Sequence, residues 1–303
     1  MKTNKTIDHN YKPDRTSKEI FNNLKDQLLD PQALELANEV QWQYLDKISI
    51  DHSDLYPVAI TGKGPRVLLL HGFDSSFLEF RRLVPLLRNY NQLIIPDLFG
   101  FGFCPRPKHI GYGLEALISH LNAVLSQLTN EEPVGLIGAS MGGALAMELA
   151  RRHPTKINRL LLLSPAGLTG SPMQVPRPLD QLGVWFLKQK LVRKSLCKQA
   201  FADPKTSVGA PEEQIASLHL NTPGWGRSLA AFARSGGLAN CGKPLPKQPL
   251  NVIWGKQDRI LNNTLKNESI TLLGHKLEEL EDCGHLPHLD HPNVVAQRWL
   301  DNT

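Results

Sequence analysis

Three residues far apart in a chain of 303 have the types and the order that acyl-transfer chemistry needs: Ser140, Asp258 and His285. A serine hydroxyl is a poor nucleophile until a base takes its proton, and that base must be oriented by a third group. Ser140 stands in Gly138-Ala139-Ser140-Met141-Gly142-Gly143. The apolar run Val134-Gly135-Leu136-Ile137 precedes it, and a stretch with helical spacing, Ala144 to Ala150, follows. A strand, a sharp turn carrying one Ser and then a helix is the geometry of a nucleophile elbow. The flanking glycines fit, because a side chain two residues to either side would collide with strand or helix. Asp258 comes just after Trp254-Gly255, and His285 lies in Asp282-Cys283-Gly284-His285-Leu286-Pro287. Each follows a late apolar run, in the order Ser, Asp, His that this geometry uses. Alone, Asp258 would read as a turn or N-cap aspartate and His285 as a loop histidine. The three together carry the reading of a nucleophile, a base and its orienting acid.

Such a centre also needs two backbone N–H groups where the tetrahedral oxyanion develops. The residue after the nucleophile, Met141, supplies one. The loop His71-Gly72-Phe73-Asp74, after an early apolar run, supplies the other from Phe73, whose side chain is then free to line the acyl pocket. His285, His288 and His291 with Asp290 have a spacing that invites a metal. At a strand end, however, no helix turns three such rings to one point, so neither a metal site nor any cofactor is expected. Cys283, two residues from His285, reads as a buried, inert thiol.

The elements that must position these groups follow from the apolar pattern. Residues 1–39 are a polar and helical segment: a poorly ordered start, then an amphipathic helix on Ile20, Phe21, Leu24, Leu28 and Leu29, packed on the domain or on a membrane surface. Val40–Asp51 and Tyr56–Thr61 read as antiparallel strands joined by a turn at Asp51-His52-Ser53-Asp54. A β-then-α rhythm follows. Buried strands fall at Arg66–Leu70, Gln92–Asp97, Val134–Ile137 and Leu160–Leu163, and helices at Phe77–Leu87 and Leu114–Leu128. The rhythm breaks over 166–248, where prolines are scattered and helical patches include Leu182–Ala202 and Glu212–Leu220. It resumes with strands at Leu250–Trp254 and Lys276–Glu281 and a helix at Asn293–Leu300. This alternation predicts an α/β fold, a mostly parallel sheet with helices on both faces. Its core spans 40–165 and 249–303, and a helical cap, 166–248, is inserted between late strands and covers the site.

Within the cap, Leu182, Val184, Trp185, Phe186, Leu187, Leu191, Val192 and Leu196 alternate with Lys188, Lys190, Arg193, Lys194 and Lys198. An apolar, aromatic face opposite a basic one fits a helix laid on the core, or one that lies on an anionic membrane and admits a lipophilic substrate. Trp185 and Phe186 are therefore candidate substrate-binding residues alongside Phe73.

Composition limits the alternatives. A hydrophobic content of 41% and a charged content of 21% are ordinary for a globular protein. No apolar run reaches the ~18 residues a membrane span needs. The polar stretch Met1–Asn10 lacks the apolar core of a secretory signal, so secretion is not expected. A net charge of +5 implies a slightly basic surface rather than a nucleic-acid partner. Cys104, Cys197, Cys241 and Cys283 have no paired spacing and read as reduced thiols.

Across roughly residues 55–300 the chain resembles the α/β-hydrolase superfamily. The matching pieces are His71-Gly72-Phe73, Asp97-Leu98-Phe99-Gly100-Phe101-Gly102, the Ser140 elbow, Gly255-Lys256-Gln257-Asp258 and Gly284-His285. Phe99 stands where Pro is commoner, which touches loop shape rather than catalysis. These motifs do not separate esterase, lipase, thioesterase, lactonase and C–C hydrolase. Further stretches resemble the chlorophyll dephytylase-type hydrolases of photosynthetic organisms: His71–Ser76, Ala202-Asp203-Pro204, Leu218–Trp225, Arg234-Ser235-Gly236-Gly237 and Cys283–His288. That likeness implies hydrolysis of the phytyl ester of chlorophyll, by a protein in the cytoplasm or peripheral on an internal thylakoid membrane. A generic carboxylesterase or lipase, a C–C bond hydrolase or lyase of the menaquinone-pathway kind, and a non-catalytic hydrolase-like receptor are the other readings.

Overall fold

Strands that are apolar at every position need cover on both faces, and the computed structural model supplies it. It describes residues 16–301 apart from 47, 49–53, 109 and 130–131. Eight strands form one sheet: β1 (Val40–Tyr44), β2 (Leu55–Thr61), β3 (Arg66–Leu70), β4 (Gln92–Pro96), β5 (Val134–Ala139), β6 (Ile157–Leu163), β7 (Leu250–Gly255) and β8 (Leu277–Leu280). Their order is β1-β2-β4-β3-β5-β6-β7-β8, with only the β1–β2 and β2–β4 pairs antiparallel. Successive side chains alternate faces. Leu68, Leu70, Leu136 and Leu162 join one core layer, while Val67, Leu69, Ile137, Leu161 and Leu163 join the other.

Thirteen α-helical segments are described. The first two, α1 (Ser17–Lys25) and α2 (Pro31–Asn38), are followed by the single turn α3 (Val84–Leu87). Two longer helices, α4 (Leu114–Leu128) and α5 (Met141–Arg152), flank β5. Between β6 and β7 lie α6 (Leu179–Lys188), α7 (Lys190–Ala200), α8 (Pro204–Ser207), α9 (Ala210–Ile215) and α10 (Trp225–Arg234). The chain closes with α11 (Asn263–Leu273), α12 (Pro287–Asp290) and α13 (Pro292–Leu300).

Several expectations are sharpened. α1 is fixed by a capping box between Thr16 and Glu19. It packs on the domain: Phe21 is buried against the rings of Trp42, Phe77 and Phe103 at 5.0–5.9 Å, which contributes about 1.5–3 kcal/mol. The expected helix over Phe77–Leu87 is instead a 3-10 turn, Phe77–Phe80, followed by the one-turn α3. Pro85 has no N–H to continue an α-helical ladder through that stretch. The Leu182–Ala202 stretch also divides, into α6 and α7, where Gln189 turns extended at ψ 129. The start of the chain through residue 15, and residues 51–53 of the expected hairpin turn, lie outside the described residues.

Candidate active site

β5 delivers Ser140 to the C-terminal end of the sheet, and α5 begins at the next residue. The Ser140 backbone has φ 49 and ψ −117, a strained conformation for a residue with a side chain. Three backbone bonds hold it there: Ser140 N–H donates to Leu163 O at 2.9 Å, and Ser140 O accepts from Gly143 and Ala166 at 2.9 and 3.0 Å. The turn is also too tight for side chains at its flanks. A Cβ on Gly142 would sit 2.0 Å from Leu70 O, and one on Gly138 2.5 Å from Gly142 O.

His285 and Asp258 converge on this serine. His285 Nε2 lies 2.8 Å from Ser140 Oγ, and its Nδ1 lies 2.9 Å from Asp258 Oδ2. All three side chains are buried. Asp258 Oδ2 also accepts from the Trp254 indole N–H at 3.0 Å, and Oδ1 accepts from the Ile260 and Leu261 amides at 2.9 and 3.3 Å. Burial by itself would raise the Asp258 pKa, but the His285 hydrogen bond and charge, with the two amides, hold it below the ordinary carboxylate value. An ionised Asp258 favours the His285 tautomer that carries its proton on Nδ1, leaving Nε2 free to accept from Ser140.

The His71-Gly72-Phe73-Asp74 loop passes directly over Ser140, for a Cβ on Gly72 would lie 3.3 Å from Ser140 Cβ. His71 Nε2 accepts from the Leu98 amide at 2.9 Å, so Nδ1 carries the proton and donates to Gly72 O at 2.8 Å. Burial pushes the His71 pKa down to about 4, so the ring is a neutral brace at pH 7. Gly72 N–H donates to both oxygens of buried Glu79, at 3.1 and 3.3 Å. The Phe73 and Met141 amides have no hydrogen-bond partner among the described residues. Two unpaired N–H groups next to a serine hydroxyl can receive a developing oxyanion.

A cavity of ≈ 370 Å³ opens above Ser140 and His285. Its walls include Phe73, Leu187, Leu196, Phe201, Ile215 and Leu289, and it is largely apolar. Phe73 faces the space as expected, 44% exposed and packed on Phe101 and Phe232 at 5.7 and 5.6 Å. Trp185 and Phe186 do not line it: at 64% and 54% exposure they face solvent, while Leu187 turns inward. α6 is apolar on two sides, and the side packed on α10 is the one carrying Val184 and Leu187. The histidines near the site diverge. His288 Nε2 is 3.3 Å from Glu79, His291 Nε2 bonds Asp282 O, and Asp290 accepts from the Ala202 and Gly284 amides. Burial pushes the Cys283 thiol up to about 12.

Reasoning on motifs alone misses Trp254, Glu79 and Asp74. Trp254 is signalled only as the last residue of an apolar run, and Glu79 as a charge in an otherwise apolar stretch. Asp74 carries no signal beyond its place after Phe73.

Relatives frame the same architecture. In sequence, the chain is 29% identical over 251 residues to the alpha/beta hydrolase domain-containing protein VTE7 of Arabidopsis thaliana, covering 80% of this chain and 75% of that protein. It is 37% identical over 239 residues to a 2-hydroxy-6-oxo-2,4-heptadienoate hydrolase of Pseudomonas putida, covering 77% and 80%. A solved candidate lipase from Acinetobacter baumannii superposes with a TM-score of 0.68 at 22% identity, covering 96% of each chain, a likeness of fold. The model of the alpha/beta hydrolase family matches residues 67–298, from the strand before the His71 loop to the last helix. With the sheet order, the elbow and that match in agreement, the chain belongs to the alpha/beta hydrolase family.

Proposed function

We propose that the protein is a serine hydrolase that cleaves the carboxylic ester of a bulky, lipophilic substrate through an acyl-enzyme. The observation that carries this is the hydrogen-bonded series Ser140, His285, Asp258 at the floor of an apolar cavity. His285 Nε2 takes the Ser140 proton as Oγ attacks the ester carbonyl, and the oxyanion is received by the Phe73 and Met141 amides. The alcohol leaves with the proton from His285. Water, deprotonated by the same ring, then releases the acid.

Hydrolysis of a C–C bond in a dienoate, the substrate named for the Pseudomonas putida relative, is the second reading. The charge of the cavity favours the ester. A dienoate carries a carboxylate, but both arginines in the walls are already matched by acids. Arg81 donates to Asp30 at 2.6 Å and to Glu212 at 3.3 Å, and Arg193 pairs with Asp74. Glu79 adds a further acid, so the lining suits a neutral substrate.

Within the ester class, the phytyl ester of chlorophyll is the specific substrate proposed. A cavity of ≈ 370 Å³ is near the lower end for small-molecule sites, roughly 300–1,000 Å³. It takes one arm of such an ester and leaves the other at the mouth. Purified protein with detergent-solubilised chlorophyll a is expected to yield chlorophyllide. Good cleavage of short acyl esters with no chlorophyllide would leave a generic carboxylesterase, and turnover of enolic dienoates alone would favour the C–C reading.

A lipophilic ester must be collected from lipid, and the outer face of α6–α7 suits that task. Leu179, Leu182, Trp185, Phe186 and Leu191 are 54–81% exposed, and Lys188, Lys190, Lys194 and Lys198 are exposed around them. Aromatic and aliphatic tips framed by lysines match the interface of an anionic bilayer. No described helix is long and apolar enough to cross a membrane, so this association would be peripheral. The protein is expected to float with vesicles containing anionic lipid, and Trp185→Ser with Phe186→Ser to reduce that binding at least tenfold. Equal flotation of the double variant would refute docking through this face.

A further inference from the structure

Phe73 stands in the chain between Gly72, whose N–H meets one buried carboxylate, and Asp74, which carries another. On one side, Glu79 accepts the Gly72 N–H within the core. On the other stands Asp74, itself at φ 50, a left-handed backbone conformation that Asp and Asn tolerate better than most residues. The Asp74 carboxylate is held almost entirely by the segment between β6 and β7. Arg193 of α7 pairs with Oδ2, while His219 Nε2 and the Trp225 indole N–H reach Oδ1 at 3.0 and 2.8 Å. His219 lies in a 3-10 turn, Leu218–Asn221, and Trp225 opens α10, so three separate elements meet on one side chain. Arg193 also donates to Ala216 O, at the end of α9. Burial alone would raise the Asp74 pKa, but His219 and Arg193, with the Trp225 N–H, bring it down to about 2. It is therefore an anion across the physiological range.

We propose that Asp74 is a positioning residue which makes the oxyanion hole depend on the docked cap: Arg193, His219 and Trp225 fix its carboxylate, and through the adjoining peptide fix the Phe73 N–H over Ser140. This deepens the serine-hydrolase reading and rests on it. A clamp that merely closed the cap would affect substrates large enough to touch the cap. A clamp that aims the Phe73 amide affects every ester, including one too small to reach α7 or α10.

The test compares p-nitrophenyl acetate with a long-chain p-nitrophenyl ester in the full-length protein. Asp74→Asn suits the backbone at this position but removes the charge and places an amide N–H₂ among three donors. It is expected to lower kcat on the acetate by about 10- to 100-fold with KM within about threefold, as for a displaced oxyanion donor. Affinity for a trifluoromethyl ketone, which mimics the tetrahedral oxyanion, should fall in parallel. Trp225→Phe keeps an aromatic ring, smaller than the indole, and removes one donor. It covers the case in which Asp74→Asn does not fold, with an expected loss in kcat of about 3- to 10-fold. A folded Asp74→Asn or Trp225→Phe with unchanged kcat on acetate, and a raised KM on the long ester alone, would overturn the proposal and leave only a cap tether. Ser140→Ala separates the two levels. Should it retain full turnover, the serine-hydrolase reading fails, whereas a dead Ser140→Ala beside a fully active Asp74→Asn rejects this inference alone.

Discussion

Ser140→Ala is expected to lower kcat on a p-nitrophenyl ester by about 10⁵- to 10⁶-fold and to abolish labelling by a fluorophosphonate. The substitution removes one oxygen and disturbs little else. Backbone bonds to Leu163, Gly143 and Ala166 keep the elbow in place, and none of them uses the side chain. Substrate binding should therefore persist, so KM changes little while kcat collapses. A residual acceleration of about 10³–10⁴ over water should remain, because the Phe73 and Met141 amides and the cavity are untouched. Residues that act as one unit are not additive, so Ser140→Ala combined with His285→Ala should be no slower than either change alone. Persistent fluorophosphonate labelling of Ser140→Ala would mean that another residue is the nucleophile. Absence of ester turnover in the parent protein itself would leave the non-catalytic reading of this fold.

The reach of the sequence differs from element to element for physical reasons. The elbow was legible because its constraint is local. Backbone strain at Ser140 and the exclusion of a side chain at Gly138 by Gly142 act within five residues, and a local constraint leaves a motif, while Gly142 itself is kept bare by Leu70 at the end of β3. The helix Leu114–Leu128 was legible because its apolar positions keep one period without interruption. The break at Gln189 was not, since no Pro or Gly marks it. α6 packs against α10 and α7 against α9, and the chain turns to satisfy both. Trp185 and Phe186 were misplaced for a related reason. Periodicity reveals that a helix has apolar sides, but not which of two such sides meets the protein. Asp74 was the least legible, because its partners lie 119, 145 and 151 residues downstream and each looks unremarkable where it stands. The stretches Leu218–Trp225 and His71–Ser76, which resembled one subgroup separately, meet in the structure at this carboxylate.

Asp258→Asn carries the second large expectation, a fall in kcat of about 10³- to 10⁴-fold with the fold intact. Every group facing Asp258 is a donor: His285 and Trp254 on Oδ2, and the Ile260 and Leu261 amides on Oδ1. An asparagine offers one acceptor and one donor there, and neither orientation satisfies the site. With its oxygen toward the two backbone amides, its N–H₂ meets Trp254 N–H and forces His285 to accept at Nδ1. The ring then holds its proton on Nε2, the atom that must take one from Ser140. With the amide flipped, the N–H₂ confronts two backbone N–H groups instead, at a cost of about 1–3 kcal/mol for each donor left unpaired. The first arrangement preserves more bonds, so the expected variant is folded, binds substrate and carries the wrong tautomer. Fluorophosphonate labelling, which needs the Ser140 proton removed, should slow by a factor comparable to the loss in kcat. Activity within tenfold of the parent would show that His285 does not depend on Asp258 for its tautomer, and the role of orienting acid would have to be assigned anew.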